Sequence, residues 1–276
     1  MVTPIEWLVA LALGALQGVT EFLPISSSGH LLLVPWAAGW HFGFIEGLTF
    51  TVALHVGTGV AAVGAMAKHW KTLLIGAVRN RDNAEDAAAR RMLAAIILAT
   101  ALVGAVGFKT EALVANSLRA PWIAGLSLAF GGLILYATDR FAAARAPSAA
   151  PGLLALTVVG LAQAIALIPG VSRSGATITV GRALGFSRLE ATRFSFLLMG
   201  PVIFGAAGLQ SFRLVQRGAT GSELALLGAA TVVSALTGAV AARWLLAFIS
   251  KASFAPFALY RAVLGLAMLG LFLAKS

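Results

Sequence analysis

Two short stretches of this sequence place ionisable and hydroxyl side chains inside long apolar segments. The polar members are Glu21, Ser26, Ser27, Ser28 and His30 in the first stretch and Ser172, Arg173, Ser174 and Thr177 in the second. A hydroxyl close to an imidazole, a carboxylate and an anion-binding guanidinium is suited to nucleophilic transfer of a phosphoryl group. The residue types therefore indicate a site for such chemistry, provided that the fold brings the two stretches together.

Each serine run stands just before an apolar segment, a position at which serine is a preferred helix N-cap. A capped helix start aims free backbone N–H groups and the positive end of the helix dipole at one point. Two such starts together with Arg173 would form an anion site suited to phosphate. We expect Ser26, Ser172, Ser174 and Thr177 to contribute to binding at this site.

The first stretch also contains the groups best able to move protons. His30 follows Ser27 by three residues, and imidazole is the side chain that exchanges protons most readily near neutral pH. Gln17 lies four residues before Glu21, so the two share a helix face if the chain is helical up to Pro24. Gln17 could bind substrate or form an interhelical hydrogen bond, and the sequence leaves both roles open.

The other histidines and Arg261 have no comparable cluster of polar residues near them in the sequence. We interpret His41 and His69 as interfacial residues and His55 as a residue of helix packing. Arg261, in the last apolar segment, could face the pocket or serve a snorkelling or structural role.

The composition identifies the kind of protein that must position these groups. Of the 276 residues, 59% are apolar and 11% are charged, whereas about half and about a quarter are usual in soluble proteins. We therefore predict an all-α polytopic membrane protein. The absence of cysteine excludes disulfides and thiolate metal sites. The first apolar stretch lacks a basic leader and is too long for a signal peptide, so we expect no cleaved signal.

Six apolar blocks are long enough to cross a bilayer without a central break. They are residues 48–67, 92–108, 121–138, 194–212, 222–242 and 254–274. Two further apolar regions, 5–40 and 152–186, are each interrupted by proline and a polar run. Both are predicted to be helix hairpins that enter the membrane and return.

The two interrupted regions match each other at an offset of 146 residues. The pairs are Gly14 with Gly160, Gln17 with Gln163, Ser26 with Ser172, Ser28 with Ser174, and Gly29 with Gly175. We interpret the chain as one membrane domain, 1–276, built from two repeats, 1–138 and 152–276. Each repeat would be one re-entrant hairpin followed by three transmembrane helices. Because three is odd, the second repeat must enter from the opposite side, which makes the repeats inverted.

The distribution of basic residues agrees with this topology. With loop 68–91 in the cytoplasm, 13 Lys and Arg residues lie inside and five lie outside. Those inside are Lys68, Lys71, Arg79, Arg81, Arg90, Arg91, Arg140, Arg145, Arg182, Arg188, Arg193, Arg243 and Lys251. This bias accounts for the net charge of +10 by the positive-inside rule, with both termini outside. We therefore expect no nucleic-acid partner.

Both polar stretches resemble the motifs of one protein family. Residues 17–30, QGVTEFLPISSSGH, resemble the first motif of the bacterial undecaprenyl-pyrophosphate phosphatases of the bacitracin-resistance type. Residues 169–177, PGVSRSGAT, look like the second motif. The resemblance extends over the whole chain in length and layout. Position 17 is glutamine where many relatives have glutamate, which shifts a metal-ligand role towards Glu21.

The resemblance implies hydrolysis of undecaprenyl diphosphate to undecaprenyl phosphate and inorganic phosphate, which recycles the lipid carrier of peptidoglycan synthesis. It also implies a bacterial cytoplasmic (inner) membrane location, a pocket open to the outer face, and help from a divalent cation, Mg²⁺ or Ca²⁺. The partners would be the polyprenyl diphosphate lipid and the bilayer, with assembly as a homodimer left open.

For the phosphatase activity that the resemblance implies, we assign roles to the site residues. Ser27 is the first choice as nucleophile with His30 as its base. In the alternative, His30 attacks directly and Ser27 binds phosphate. Arg173 would hold the diphosphate, and Glu21 would orient His30 or bind the cation through oxygen.

Two other classes of protein compete with an enzyme. A secondary transporter of an anionic or lipid-linked substrate would share the inverted repeats. The lack of a second charged pathway across the membrane argues against a transporter. A purely structural protein is a weaker alternative, because its polar pocket would be an uncompensated cost.

Overall fold

Eleven α-helices make up most of the part of the chain that the structure describes, with no β-strand in that part. The computed structural model describes residues 2–45, 47–79, 81, 83–142 and 151–275. The helices are α1 (Pro4–Phe22), α2 (Ser27–Ala38), α3 (Leu48–Ala65), α4 (Ala67–Arg79), α5 (Ala84–Leu113), α6 (Pro121–Ala142), α7 (Leu153–Leu161), α8 (Arg173–Ala183), α9 (Arg188–Arg217), α10 (Gly221–Ile249) and α11 (Ala255–Lys275).

Several helices begin at sequence signals that satisfy their first backbone N–H groups. Thr3, Ser187 and Thr220 form capping boxes with a glutamate three residues later, at the starts of α1, α9 and α10. In a capping box the hydroxyl and the carboxylate each accept a backbone N–H, which fixes where the helix starts.

Seven of the described helices are long and apolar enough to cross a membrane. The prediction of an all-α polytopic membrane protein is therefore confirmed. Six of the seven, α3, α5, α6, α9, α10 and α11, contain or closely match the predicted apolar blocks. The seventh is α1, the first arm of the first predicted hairpin, whose 19 residues reach spanning length. The inverted arrangement of the two repeats stays a prediction.

The predicted loop 68–91 is instead largely helical. It forms α4 and the first turns of α5. Helix α4 is amphipathic: Leu73 and Gly76 are buried, while Lys68, Lys71 and Val78 are exposed. Such a helix is typical of a membrane surface, because its charged face can stay in water. Arg145, which the charge count places inside, lies outside the described residues.

Small residues let the long helices approach closely. A Cβ placed on Gly18 of α1 would lie 1.9 Å from Thr237 Oγ1 of α10, and one on Gly57 of α3 would lie 2.3 Å from the carbonyl oxygen of Thr231. Helices α1, α3 and α10 therefore pack backbone to backbone, as is typical of helix contacts in lipid.

A buried carboxylate links α6, α8, α9 and the segment just before α11. Asp139 of α6 accepts from Arg182 Nε of α8 at 2.9 Å and from Arg188 Nε of α9 at 2.9 Å. It also accepts the backbone N–H of Phe254, just before α11, at 3.3 Å. Arg182, predicted as a cytoplasmic cation, is thus buried and paired.

Candidate active site

Helical structure is interrupted between α1 and α2 and between α7 and α8, and these two interruptions, called the breaks below, have the same local geometry. Ser26 and Ser172 have φ angles of +75° and +74°, in a region that non-glycine residues seldom adopt. Their hydroxyls accept the N–H of Gly29 at 3.2 Å and of Gly175 at 3.0 Å. The predicted serine N-caps are confirmed, and each cap holds its helix start in a strained backbone conformation.

The two breaks meet in the protein interior. Ser174 donates its hydroxyl to the carbonyl oxygens of Glu21 at 3.3 Å and Leu23 at 3.2 Å. Gly170, with a φ of +93°, lies so close to Ala124 that a Cβ would be 2.3 Å from the carbonyl oxygen of that residue. Only glycine fits there, because both the backbone angle and the space exclude a side chain. The expectation that the two polar stretches come together is confirmed.

Glu21 is the centre on which the site side chains converge. Its Oε2 accepts from the Ser27 hydroxyl and from Gln17 Nε2, the latter at 3.0 Å. His55 Nε2 of α3 lies 3.4 Å from the same oxygen, and Arg173 Nη2 of α8 lies 3.5 Å from Oε1. The carboxylate is almost fully buried, so the two hydrogen bonds from Ser27 and Gln17 and the charge of Arg173 replace part of the water that it would otherwise require.

Three buried polar atoms around this centre have no hydrogen-bond partner among the described residues. They are Glu21 Oε1, Gln17 Oε1 and Arg173 Nη1. Buried polar groups in native structures are nearly always paired, so unpaired ones indicate a missing ligand. The guanidinium N–H suits an anionic oxygen, and the two oxygens suit a cation or a donor.

The His30 side chain forms its hydrogen bonds with groups other than Ser27. Its Nδ1 lies 2.7 Å from the carbonyl oxygen of Ser26, and its Nε2 lies 2.7 Å from the Tyr260 hydroxyl. Because a carbonyl can only accept, Nδ1 carries the proton and Nε2 accepts from Tyr260. The expected Ser27–His30 pair is therefore not formed, since the Ser27 hydroxyl donates to Glu21 instead.

The hydroxyls of the second stretch are engaged within the protein. Ser172 caps α8 and lies 3.3 Å from Ser174, which donates across to the first break. Thr177 donates to Ser195 of α9 at 2.7 Å. These contacts hold the breaks and α9 together, and binding of substrate by these three side chains stays a prediction. Ser26 is likewise occupied as a cap.

Arg261 binds backbone carbonyls from both breaks. Its guanidinium donates to Pro24 at 3.3 Å, Gly170 at 3.2 Å and Val171 at 2.8 Å, and to Ser127 of α6 at 3.4 Å. Its side chain is buried. Of the two roles that the sequence leaves open, these contacts favour the structural one.

Two residues of the site were missed by sequence reasoning. His55 was interpreted as helix packing, and that is wrong because its imidazole lies against Glu21. An ionisable side chain deep in an apolar helix was the available signal. Tyr260 had no local signal, although it stacks on His30 with the two ring planes 2° apart. His41 is exposed and His69 is half-buried, and their position at the membrane interface stays a prediction.

The side chains place a limit on how a metal could bind. No group of three or more His, Cys, Asp or Glu side chains with metal-binding geometry is present among the described residues. The free oxygens of Glu21 and Gln17 could contribute to a site that a phosphate ligand completes, as Mg²⁺ sites commonly do.

Sequence comparison gives consistent relatives for the whole chain. The family described as bacitracin resistance protein BacA matches residues 10–267. The chain is similar to an undecaprenyl-diphosphatase of Pelotomaculum thermopropionicum, with 43% identity over 271 residues that cover 97% of each chain. It is similar to an undecaprenyl-diphosphatase of Pelobacter propionicus, with 43% identity and 96% of each chain covered. A relative of the same name from Rubrobacter xylanophilus is 38% identical over 93% of this chain and 95% of its own.

Proposed function

The chain belongs to the bacitracin resistance protein BacA family, and from this membership and its site we propose that it hydrolyses undecaprenyl diphosphate. The products are undecaprenyl phosphate, which returns to peptidoglycan synthesis, and inorganic phosphate. The observation that carries the proposal is the buried cluster of Glu21, Ser27 and Arg173 where the two breaks meet. A nucleophile, a proton acceptor and an anion-binding group stand together there.

The contacts favour Glu21 as the proton acceptor for Ser27. The Ser27 hydroxyl, directed at the Glu21 carboxylate, attacks the terminal phosphorus as its proton passes to Glu21. The bond between that phosphorus and the bridging oxygen breaks, and undecaprenyl phosphate leaves. Water then attacks the phosphoserine, Glu21 returns its proton to the leaving serine oxygen, and inorganic phosphate is released with the serine and the carboxylate restored.

Arg173 and the helix starts supply the electrostatic part of the reaction. The unpaired Nη1 of Arg173 can donate to a phosphate oxygen while Nη2 stays near Glu21. The first N–H groups of α2 and α8 add partial positive charge at the same place. Charge on the transferred phosphoryl group is thereby stabilised where it develops.

His30 has two roles compatible with its contacts. Its Nε2 carries a lone pair, which Tyr260 now occupies. If Tyr260 turned away, His30 could attack phosphorus itself, with Ser27 binding the phosphate. The direct contact between Ser27 and Glu21 favours the serine route.

We also propose a divalent cation, held by the free oxygens of Glu21 and Gln17 together with the diphosphate. Such a cation would neutralise charge on the diphosphate oxygens. Removal of divalent ions with a chelator is expected to lower turnover, and Mg²⁺ or Ca²⁺ is expected to restore it. Turnover unchanged by chelation would contradict this part of the proposal.

The proposed setting is the bacterial inner membrane, with the site reached from its outer face. The multi-pass character rests on the seven apolar helices. The outward opening is supported by the excess of basic residues at the opposite ends of these helices.

The proposed function is tested by phosphate release from undecaprenyl diphosphate by the purified protein in detergent. Wild-type protein is expected to release phosphate, whereas a transporter would not. Ser27→Ala should lower turnover at least about a thousandfold with little loss of substrate binding, because a nucleophile acts in the chemical step.

Ser250→Ala is the matched control, since Ser250 is exposed at the end of α10. It should keep wild-type turnover. An acid-stable phosphoserine on the quenched enzyme would support Ser27 as nucleophile. Substantial turnover by Ser27→Ala, with phosphohistidine trapped at His30, would decide for the alternative.

A further inference from the structure

A large apolar cavity adjoins the candidate active site. It has a volume of about 490 Å³ and lies among α2, α3, α5 and α9. Ser28 and Pro169, one from each break, line its inner end. Ser28 directly follows Ser27 in the chain, so the cavity borders the start of α2, where we locate the diphosphate.

One side of the cavity is formed by the C-terminal halves of α5 and α9. Helices α5, α7 and α9 meet where Ala99 of α5 and Leu198 of α9 lie close to Gly160 of α7. Beyond that point Val103 and Gly104 of α5 and Val202 and Gly205 of α9 line the cavity. Pro201, inside α9 and also in the wall, breaks the backbone hydrogen bonding of that helix, which favours a bend there.

The far end of the cavity is polar and the middle is apolar. Glu111, Arg119 and Gln210 line the far end. An apolar space of this size, bounded by a polar site at one end and charged residues at the other, is well suited to a lipid chain. Cavities of about 300–1,000 Å³ are typical of small-molecule sites.

We propose that this cavity holds the isoprene units that follow the first one, with the diphosphate at Ser27 and Arg173 and the rest of the chain in the bilayer. The proposal rests on the proposed function and extends it to how the lipid part of the substrate is recognised. Ser27 and Ser28 are consecutive on α2, so one faces Glu21 and the other the cavity. A substrate passing over the start of α2 would therefore place its chain in the cavity.

Two glycines in the cavity wall provide a test. A Cβ at Gly104 or Gly205 would meet no atom within 4 Å, so a side chain there would project into open space. Gly104→Phe and Gly205→Phe should fill the cavity without disturbing helix packing. Gly208→Phe, one turn further along α9, is the matched control, because its Cβ also meets nothing and Gly208 does not line the cavity.

The measurement compares kcat/KM for a C55 prenyl diphosphate with kcat/KM for a five-carbon prenyl diphosphate. Losing apolar contact for even two or three CH₂ groups lowers kcat/KM about tenfold or more. We expect such a loss on the C55 substrate in both cavity variants and a change below about twofold on the five-carbon one. The Gly208 variant should match wild type on both substrates.

A second measurement does not depend on turnover. A benzophenone-bearing prenyl diphosphate should crosslink wild-type protein at residues 103–108 and 202–209, and the cavity variants should lose these crosslinks. Unchanged kcat/KM on the C55 substrate, equal losses on both substrates, or crosslinks confined to other helices would overturn the inference. Failure of the wild type to release phosphate would instead contradict the proposed function.

Discussion

Glu21 can exist as a buried carboxylate only because its surroundings donate to it. Ser27 and Gln17 donate hydrogen bonds to its Oε2, and the Arg173 guanidinium lies 3.5 Å from its Oε1, so these groups replace part of the lost water. Removing one partner of a buried ion pair is strongly destabilising, because the other charge is left uncompensated. The same donors give Glu21 its chemistry, since a carboxylate held against a serine hydroxyl is placed to take its proton.

Arg173 is expected to be essential for turnover, whereas the fold is expected to need only a positive charge at this position. Its side chain is partly exposed and lies 3.5 Å from Glu21, with one terminal nitrogen unpaired. Arginine offers a planar fork to phosphate, whereas lysine offers one compact charge. Arg173→Lys should therefore fold and lose activity at least about a hundredfold, and Arg173→Ala should lose more, in line with about 10³–10⁵ for catalytic arginines elsewhere.

The measurement is phosphate release per molecule of folded protein, checked by gel filtration and thermal melting. Arg217→Ala serves as a control, because Arg217 is exposed and its contact with Glu223 is long, at 3.7 Å. Near-normal turnover in Arg173→Ala would show that the arginine is structural and that the phosphate lies elsewhere.

At the scale of helices and their breaks, Arg261 supplies hydrogen bonds to backbone carbonyls that no helix satisfies. The breaks leave backbone carbonyls without helical partners in an apolar interior, where each unpaired group is costly. One guanidinium from α11 satisfies carbonyls at Pro24, Gly170 and Val171. Arg261 therefore fixes the two breaks relative to each other, and with them Ser27 and Arg173.

Arg261→Ala should destabilise the fold. The change leaves at least three buried carbonyls unpaired, at about 1–3 kcal/mol each. We expect a clearly lower midpoint of thermal unfolding in detergent. Arg261→Lys should recover part of the loss, because a single ammonium can reach fewer carbonyls. A variant that melts like wild type yet binds phosphate weakly would favour the pocket role.

At the scale of the whole molecule, the buried ion pairs of Asp139 and the opening of the cavity lie at opposite ends of the bundle. Asp139 binds Arg182 and Arg188 at the end that the charge count assigns to the cytoplasm. The cavity opens near Arg119 and Glu111, at the end assigned to the outside. The breaks, α2 and α8 lie between these two ends.

The topology predicts which positions face the cytoplasm. The chain has no native cysteine, so single cysteines can be labelled with a membrane-impermeant reagent. Arg81→Cys should react only from the cytoplasmic side, and Gln216→Cys only from outside. Gly43→Cys, just after the first hairpin, should react from outside. Labelling of positions 43 and 81 from the same side would end the hairpin interpretation.

The sequence by itself was sufficient for the membrane class, the six uninterrupted apolar blocks and the serine caps, because these depend on composition and on neighbours within a few residues. It also identified Glu21 and Arg173 as parts of one site, since ionisable residues are costly in lipid and therefore need each other. The sequence did not show that residues 68–91 are largely helical, because charged residues interrupt the apolar ones and the segment contains no long apolar block.

Tertiary structure alone decided which groups touch. His55 reaches Glu21 from another helix, and Tyr260 reaches His30 from 230 residues away. The Ser27 hydroxyl could have been directed at His30, three residues along its helix, but the packing of α1 against the start of α2 brings the carboxylate closer. Such contacts depend on how whole helices pack, and no local pattern in the chain encodes them.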